Sequence, residues 1–295
     1  MVFIFLLQAI VHMASPVASH TCTIQFYSAH DQTHILTNQE QILLVMDFTI
    51  VTVLFFLLAF VSESVGTISG FGSSVFFVPL AGMLFDFQTT LALTGILHIF
   101  STSAQVIMFR KSINWKLTLF IGIPSVLMVI LGAYLNNKVN LKYAELVMGT
   151  FLVAFALTFL IKKNLKFKAT NFNAITGGAL AGFLAGLIGT GGAIRGATLT
   201  AFDLPKNSFV GTSAGIDFAV DFSRTIVYLS NGYLNQKYFW YLPVMFVLAY
   251  AGAWTGKLIL NKIPQEIFKT IVLSLIMAVG LLMIYGFVSG QNLIR

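Results

Sequence analysis

Charge is what this sequence has least of. Asp, Glu, Lys and Arg make up only 9% of its 295 residues, against about 25% in an ordinary soluble domain. With 57% of its residues hydrophobic, a soluble fold would have too little polar surface to cover its core. Cysteine is nearly absent: Cys22 stands alone, which excludes an intrachain disulfide and any cysteine-built metal cluster. Acidic residues number 10 against 17 basic ones, yet the basic excess builds no nucleic-acid face. The Lys and Arg residues sit in short stretches between apolar runs, as membrane loops require. A mean hydropathy of +0.88 makes hydrocarbon the fitting solvent. The chain reads as an all-α, polytopic integral membrane protein whose partner is the lipid bilayer and not nucleic acid.

What is present is a series of apolar runs long enough to span a bilayer, which takes about 20 residues each. They fall at Ile42–Val61, Thr90–Phe109, Leu117–Leu135, Ala144–Ile161, Asn173–Gly189, Phe209–Leu229, Phe239–Leu260 and Ile267–Val288. Two further apolar pieces, Ser73–Phe85 and Ala193–Phe202, are too short to span comfortably. Each follows a glycine-rich break, Gly70-Phe71-Gly72 in the first case and Gly189-Thr190-Gly191-Gly192 in the second. Broken segments at matching places in two halves are the sequence sign of a transporter with an internal repeat. At an offset of 120, Gly66, Ile68 and Gly72 align with Gly186, Ile188 and Gly192. Leu84-Phe85-Asp86-Phe87 then matches Ala201-Phe202-Asp203-Leu204, Leu93-Thr94-Gly95 faces Gly211-Thr212-Ser213, and Asn114 and Lys116 face Asn235 and Lys237. The expected organisation is an amino-terminal segment 1–41, a first membrane repeat 42–161, a linker 162–172 and a second repeat 173–295.

Loop charge orients the chain, since Lys and Arg accumulate on the cytoplasmic side. Lys162, Lys163, Lys166 and Lys168 make the linker the most basic loop, and Arg110, Lys111 and Lys116 fall on the same side. If the short segments cross, Lys206, Lys257, Lys262 and Lys269 join them, leaving Lys138, Lys142, Lys237 and Arg295 outside. That bias favours crossing segments and halves of inverted topology. Segment 1–41 holds four of the five histidines (His12, His20, His30 and His34) without a metal-ligand spacing. It reads as a poor signal-like sequence or an extension upstream of a start at Met46.

The second glycine motif, Gly186-Leu187-Ile188-Gly189-Thr190-Gly191-Gly192-Ala193-Ile194-Arg195, carries the most chemistry. Glycines let the backbone turn sharply and approach a ligand closely. The helix that follows starts with unpaired N–H groups and the positive end of its dipole, a ready anion site. Arg195 adds a full charge one turn in. A membrane-buried Arg costs about 2.5–3.5 kcal/mol even on the mild insertion scale, so it should be paired or lie in a polar cavity; the alternative is an Arg that snorkels to the interface. A nucleotide-binding phosphate loop is a worse reading, because no Lys-Ser/Thr pair follows and no soluble sheet surrounds it.

On the span Phe209–Leu229, Ser213, Asp217, Asp221, Arg224 and Tyr228 are spaced 4, 4, 3 and 4 apart and line one helical face. Asp221 and Arg224 are placed to pair within the helix. Asp217 is then the carboxylate left over, and the candidate proton carrier. The matching span of the first half carries Thr94, His98, Ser101, Thr102 and Gln105 on one face, with His98 able to titrate near neutrality. Glu63 ends the first span and is expected near the interface. The 29 phenylalanines read as lipid-facing or packing residues.

Together these pieces resemble the TauE/SafE sulfite exporter (anion permease) family. The resemblance rests on Ile68-Ser69-Gly70-Phe71-Gly72-Ser73-Ser74 with Pro79, on Gly186 to Arg195, on Phe202-Asp203-Leu204-Pro205-Lys206, and on Val210-Gly211-Thr212-Ser213. It covers roughly residues 46–290; the second half matches well and the first is degenerate. It implies about eight spans in two related halves, and transport of sulfite, sulfonates or other small organic anions.

The expectation is therefore a small-anion transporter of the cell membrane, with no enzymatic role, no cofactor and no metal, and with homo-oligomerisation left open. Gly189, Gly191 and Gly192 would supply backbone donors, Arg195 the countercharge, and Thr212 and Ser213 hydrogen bonds. Gly70, Gly72, Ser73 and Ser74 would complete the site from the first half. Asp217, Asp221, Arg224 and His98 would serve proton coupling or ion pairing. Moving one charge through 100 mV is worth about 2.3 kcal/mol, so a dianion leaving a negative interior gains roughly 4.6 kcal/mol uncoupled. Export is the direction that asks least of the titratable groups. An anion channel and a proton-coupled importer are the alternatives.

Overall fold

The structure, a computed structural model, describes residues 38–136, 143–161 and 169–289. Most of the amino-terminal segment, its histidines and Cys22 included, lies outside these residues, as do Lys138, Lys142, Lys162, Lys163, Lys166, Lys168 and Arg295. The chain separates into two compact units, Met1–Val53 and Leu54–Arg295, and the side chains of the candidate site belong to the second.

Among the described residues every regular element is helical. The α-helices are α1 (Asn38–Ser69), α2 (Ser74–Ala81), α3 (Phe87–Phe109), α4 (Trp115–Asn136), α5 (Ala144–Ile161), α6 (Asn171–Ile188), α7 (Gly192–Thr200), α8 (Lys206–Ser230), α9 (Tyr241–Lys262) and α10 (Gln265–Val288). Each apolar run expected to span falls on a long helix. Five described stretches are long and apolar enough to cross a membrane: Thr49–Ser69, Phe87–Ser112, Trp115–Asn136, Asn171–Ile188 and Tyr241–Lys262. The two short pieces form α2, of 8 residues, and α7, of 9 residues. At about 1.5 Å per residue neither crosses the roughly 30 Å hydrocarbon layer alone.

Helix starts are set locally. Asp86 accepts the Thr89 N–H at 2.9 Å to begin α3, and Thr170 accepts that of Asn173 at 3.1 Å to begin α6. Packing then depends on small residues that let backbones approach without a driving force from water. A Cβ on Gly178, Gly182 or Gly186 of α6 would strike the carbonyl oxygen of Ile121, Ser125 or Val129 on α4. Gly252 and Gly256 of α9 lie likewise against Glu63 and Ser64 of α1. α3 packs on α8 and on α9, α4 on α8, and α5 on α10. Large apolar side chains face outward on several helices, Leu127 at 66% exposure and Val247 at 62% among them. Water would not tolerate that surface; lipid does.

One boundary differs from the sequence expectation. The first span was expected to end at Val61 with Glu63 near the interface, but α1 runs on to Ser69 and Glu63 is only 1% exposed. The helix continues because its polar residues find partners: Ser64 bonds back to the Phe60 carbonyl of its own helix at 2.8 Å, and Glu63 accepts the hydroxyl of Ser73, from beyond the helix, at 2.7 Å.

Candidate functional site

Both glycine breaks depend on backbone that only glycine adopts freely. Gly70 (φ 65°) and Gly72 (φ 85°) turn the chain from α1 into α2, and Gly189 (φ 81°) ends α6 in the left-handed conformation. The turns bring the two breaks together. Arg195 Nη2 donates to the Phe71 carbonyl at 3.1 Å, and the Ser213 hydroxyl donates to the Gly70 carbonyl at 2.7 Å. A Cβ on Gly192 would collide with the Phe71 carbonyl oxygen, and one on Gly196 with the Phe71 ring. The halves therefore meet backbone to backbone.

Arg195, 4% exposed, lies at this junction. Its Nε donates to Ser213 Oγ at 3.0 Å, and Nη1 pairs with Asp217 Oδ1. The leftover carboxylate of the sequence reading is thus not spare. Intrahelical spacing revealed the Asp221–Arg224 pair, at 2.7 Å, but could not reveal a partner for Asp217 on a different helix. All three edges of the Arg195 guanidinium carry a protein acceptor in this conformation, and its charge is balanced by Asp217.

Arg224 does a second task. Its Nη1 donates to the carbonyls of Gly189 at 2.5 Å and Ala185 at 3.2 Å, while the Tyr228 hydroxyl donates to Gly186 at 2.5 Å. Asn136 on α4 donates to the Leu187 carbonyl at 2.6 Å and accepts from Tyr233 at 2.7 Å. The carbonyls left open where α6 stops are thereby met by side chains, which the low-dielectric interior demands. The sequence reading missed Asn136 and Tyr233; a polar residue closing an apolar run, as Asn136 does, is their signal.

The third part joins the first half to α8. Ser73, just before α2, touches both Glu63 Oε1 and His98 Nε2 at 2.7 Å. The other ring nitrogen of His98 lies 3.3 Å from Arg224 Nη2 and 3.7 Å from Asp221 Oδ2. His98, Ser73, Asp221 and Arg224 are all buried. Ser74 is buried as the first residue of α2, and Gly191 precedes the first residue of α7 with no room for a Cβ beside the Ala181 carbonyl. Thr212 stands apart from the expected set: its hydroxyl accepts the Asn114 N–H at 2.9 Å, steadying the start of α4. Beside the first break a cleft of about 70 Å³ is lined by Ile68, Ser69, Phe71, Lys206 and Phe209 among others. The Phe71 and Phe209 rings meet edge to face there, with centroids 5.9 Å apart.

A protein-family model described as "Sulfite exporter TauE/SafE" matches residues 55–283. A relative from Methanocaldococcus jannaschii, described as a probable membrane transporter protein, is 24% identical over 260 residues, covering 81% of this chain and 97% of its own. No solved structure matches. The match takes in both glycine breaks, the Arg195 junction and every helix that surrounds it, and it makes this chain a multi-pass member of the sulfite exporter TauE/SafE family of membrane transporters.

Proposed function

We propose that this protein transports a small anion such as sulfite, a sulfonate or another small organic anion outward across the cell membrane, using the junction of the two broken segments as its binding site. One observation carries the reading: Arg195, a fully buried cation, bridges from the second break to the Phe71 carbonyl of the first. Around it lie the N-terminus of α7 and the backbone of Gly72, groups suited to an oxyanion. Phe71 also lines the cleft beside the first break, so the residue whose carbonyl accepts from Arg195 borders that opening. Ser213, Asp217 and Phe71 take three of the five guanidinium N–H groups, so an anion reaching Arg195 meets the remaining N–H groups or displaces one of these oxygens.

The two-repeat organisation, 42–161 and 173–295 about a basic linker 162–172, belongs to the same proposal. Its support is a symmetry in the helix pairings. Exchanging α1 with α6, α2 with α7, α3 with α8, α4 with α9 and α5 with α10 turns each major pairing into another. α1 on α9 becomes α6 on α4, α4 on α8 becomes α9 on α3, and the pairs α3–α8 and α5–α10 map onto themselves.

The test is counterflow in proteoliposomes. Vesicles preloaded with unlabelled sulfite should accumulate labelled sulfite transiently against its gradient, and excess methanesulfonate should compete. A channel gives no such overshoot. Failure with both anions, in protein shown to be folded, overturns the reading.

A further inference from the structure

We propose that Glu63, His98 and Asp221 form a proton-binding site linked to the anion site at Arg195, so that the substrate is carried together with a proton. The inference rests on the anion reading above and names its coupling ion.

The hydrogen-bond directions assign the ring its resting state. With Glu63 ionised, Ser73 donates its hydroxyl proton to Glu63 Oε1, and the contact between Ser73 Oγ and His98 Nε2 then takes Nε2–H as donor. In the neutral ring Nδ1 is then an acceptor, and Arg224 Nη2 stands 3.3 Å away to donate to it. Both ring nitrogens are satisfied with His98 uncharged. Two buried polar atoms of this row of side chains are left without a hydrogen-bond partner, Arg224 Nε and Asp221 Oδ2, and the carboxylate oxygen lies 3.7 Å from the same Nδ1. A proton arriving at Nδ1 turns that atom into a donor, and Asp221 Oδ2 is the acceptor already beside it. Arg224 Nη2 keeps its 2.7 Å bond to Asp221 Oδ1 in either state. The site thus has two hydrogen-bonded arrangements that differ by one proton.

Charge balance supplies the link to the substrate. The charged groups around the ring are Glu63 on α1, Arg195 on α7, and Asp217, Asp221 and Arg224 on α8, all buried. With a neutral ring and all three carboxylates ionised, three negative groups face two guanidiniums, an excess of one negative charge. Protonated His98 brings the cluster to zero. In a low-dielectric interior an uncompensated charge is costly, and an anion arriving at Arg195 deepens the deficit. A proton taken from the aqueous phase onto His98 offsets it, and leaves with the anion on the far side. Asp217, the partner of Arg195, sits one helical turn from Asp221, the neighbour of His98, so the two sites share α8. Among the described residues no group of three or more His, Cys, Asp or Glu side chains is placed to hold a metal ion, and a ring nitrogen in the row suits a proton better than sodium. A dianion carried with one proton still crosses as a net negative charge and is driven outward by the membrane potential, whereas a monoanionic sulfonate with one proton crosses as a neutral pair and moves down its own gradient and that of the proton.

The experiment is calorimetric titration of the purified full chain with methanesulfonate, a probe that stays ionised over the working range, and with sulfite. Repeating each titration in buffers of different ionisation enthalpy counts the protons taken up. The wild type should take up about one proton per methanesulfonate, and its affinity should fall with rising pH, approaching tenfold per unit between about pH 5 and 8. His98→Gln should bind with the weak high-pH affinity at every pH and take up no proton. Should that variant fail to fold, Glu63→Gln, which removes the excess negative charge, should flatten the profile instead. Binding without proton uptake, sodium-dependent binding, or an unchanged pH profile in both variants overturns the proposal while leaving the anion site standing. Failure of both anions to bind removes the anion reading and this one with it.

Discussion

Ser213 donates its hydroxyl proton to the Gly70 carbonyl at 2.7 Å and accepts from Arg195 Nε at 3.0 Å, so one small side chain joins a backbone break of the first half to the buried cation of the second. Ser213→Ala leaves both partners buried with a bond missing. A loss of about 1–3 kcal/mol follows, read as a lowered unfolding midpoint in detergent, with transport reduced because the breaks are no longer tied. Ser213→Thr keeps the hydroxyl and should retain most of both. An Ala variant as stable and active as wild type would show that the junction holds without it.

The Arg195–Asp217 pair sets a sign that the sequence alone reverses. A lone buried Arg makes its removal look favourable for insertion, but Asp217 would then be left as an unpaired buried carboxylate. Arg195→Ala is expected to destabilise the protein by about 3–5 kcal/mol. The double variant Arg195→Ala/Asp217→Ala should recover much of that stability and none of the transport. Thermal unfolding and sulfite counterflow read the two effects separately, and normal transport by the double variant would remove Arg195 from the site. Arg195→Lys keeps the charge but loses the planar fork, so weaker binding with residual transport is expected.

Two glycines with different surroundings separate strain from collision. Gly232 has φ 76° and nothing within 4 Å of an added Cβ. Gly232→Ala should therefore cost only the left-handed backbone penalty, about 1–2 kcal/mol, with transport kept. Gly192 has no such room, since its Cβ would land on the Phe71 carbonyl oxygen. Gly192→Ala should push the breaks apart and abolish transport. Equal transport by the two variants would mean that the close approach does not matter.

The membrane orientation can be read by thiol labelling in a Cys22→Ser background. α9 has 22 residues and so reaches about 33 Å. Cysteines at Asn235, before α9, and at Lys262, its last residue, should be labelled from opposite sides, with Lys262 cytoplasmic as the charge bias requires. Labelling of both from one face would exclude α9 as a span and the inverted arrangement with it.

Much of this architecture is written in local chemistry. Apolar runs of spanning length locate the long helices, since a buried backbone must satisfy itself along its own segment. Gly70, Gly72 and Gly189 mark the breaks because left-handed backbone excludes most other residues. Asp221 and Arg224 are legible as a pair because three residues on a helix make neighbours. Their contacts need no knowledge of the rest of the chain. Glu63, Asp217, Thr212 and Asn136 are the opposite case. Glu63 looks like a helix end at the interface until Ser73 and His98 arrive from later elements to receive it. Asp217 looks spare until α7 delivers Arg195, Thr212 looks like a site hydroxyl until it meets Asn114, and Asn136 ends a span until α6 stops beside it. A charged or polar side chain inside a membrane takes whichever partner packing delivers, and packing between distant segments depends on the shapes of every helix at once. Sequence spacing could name the buried groups of this protein; only the meeting of α1, α3, α6, α7 and α8 decided which of them neutralises which.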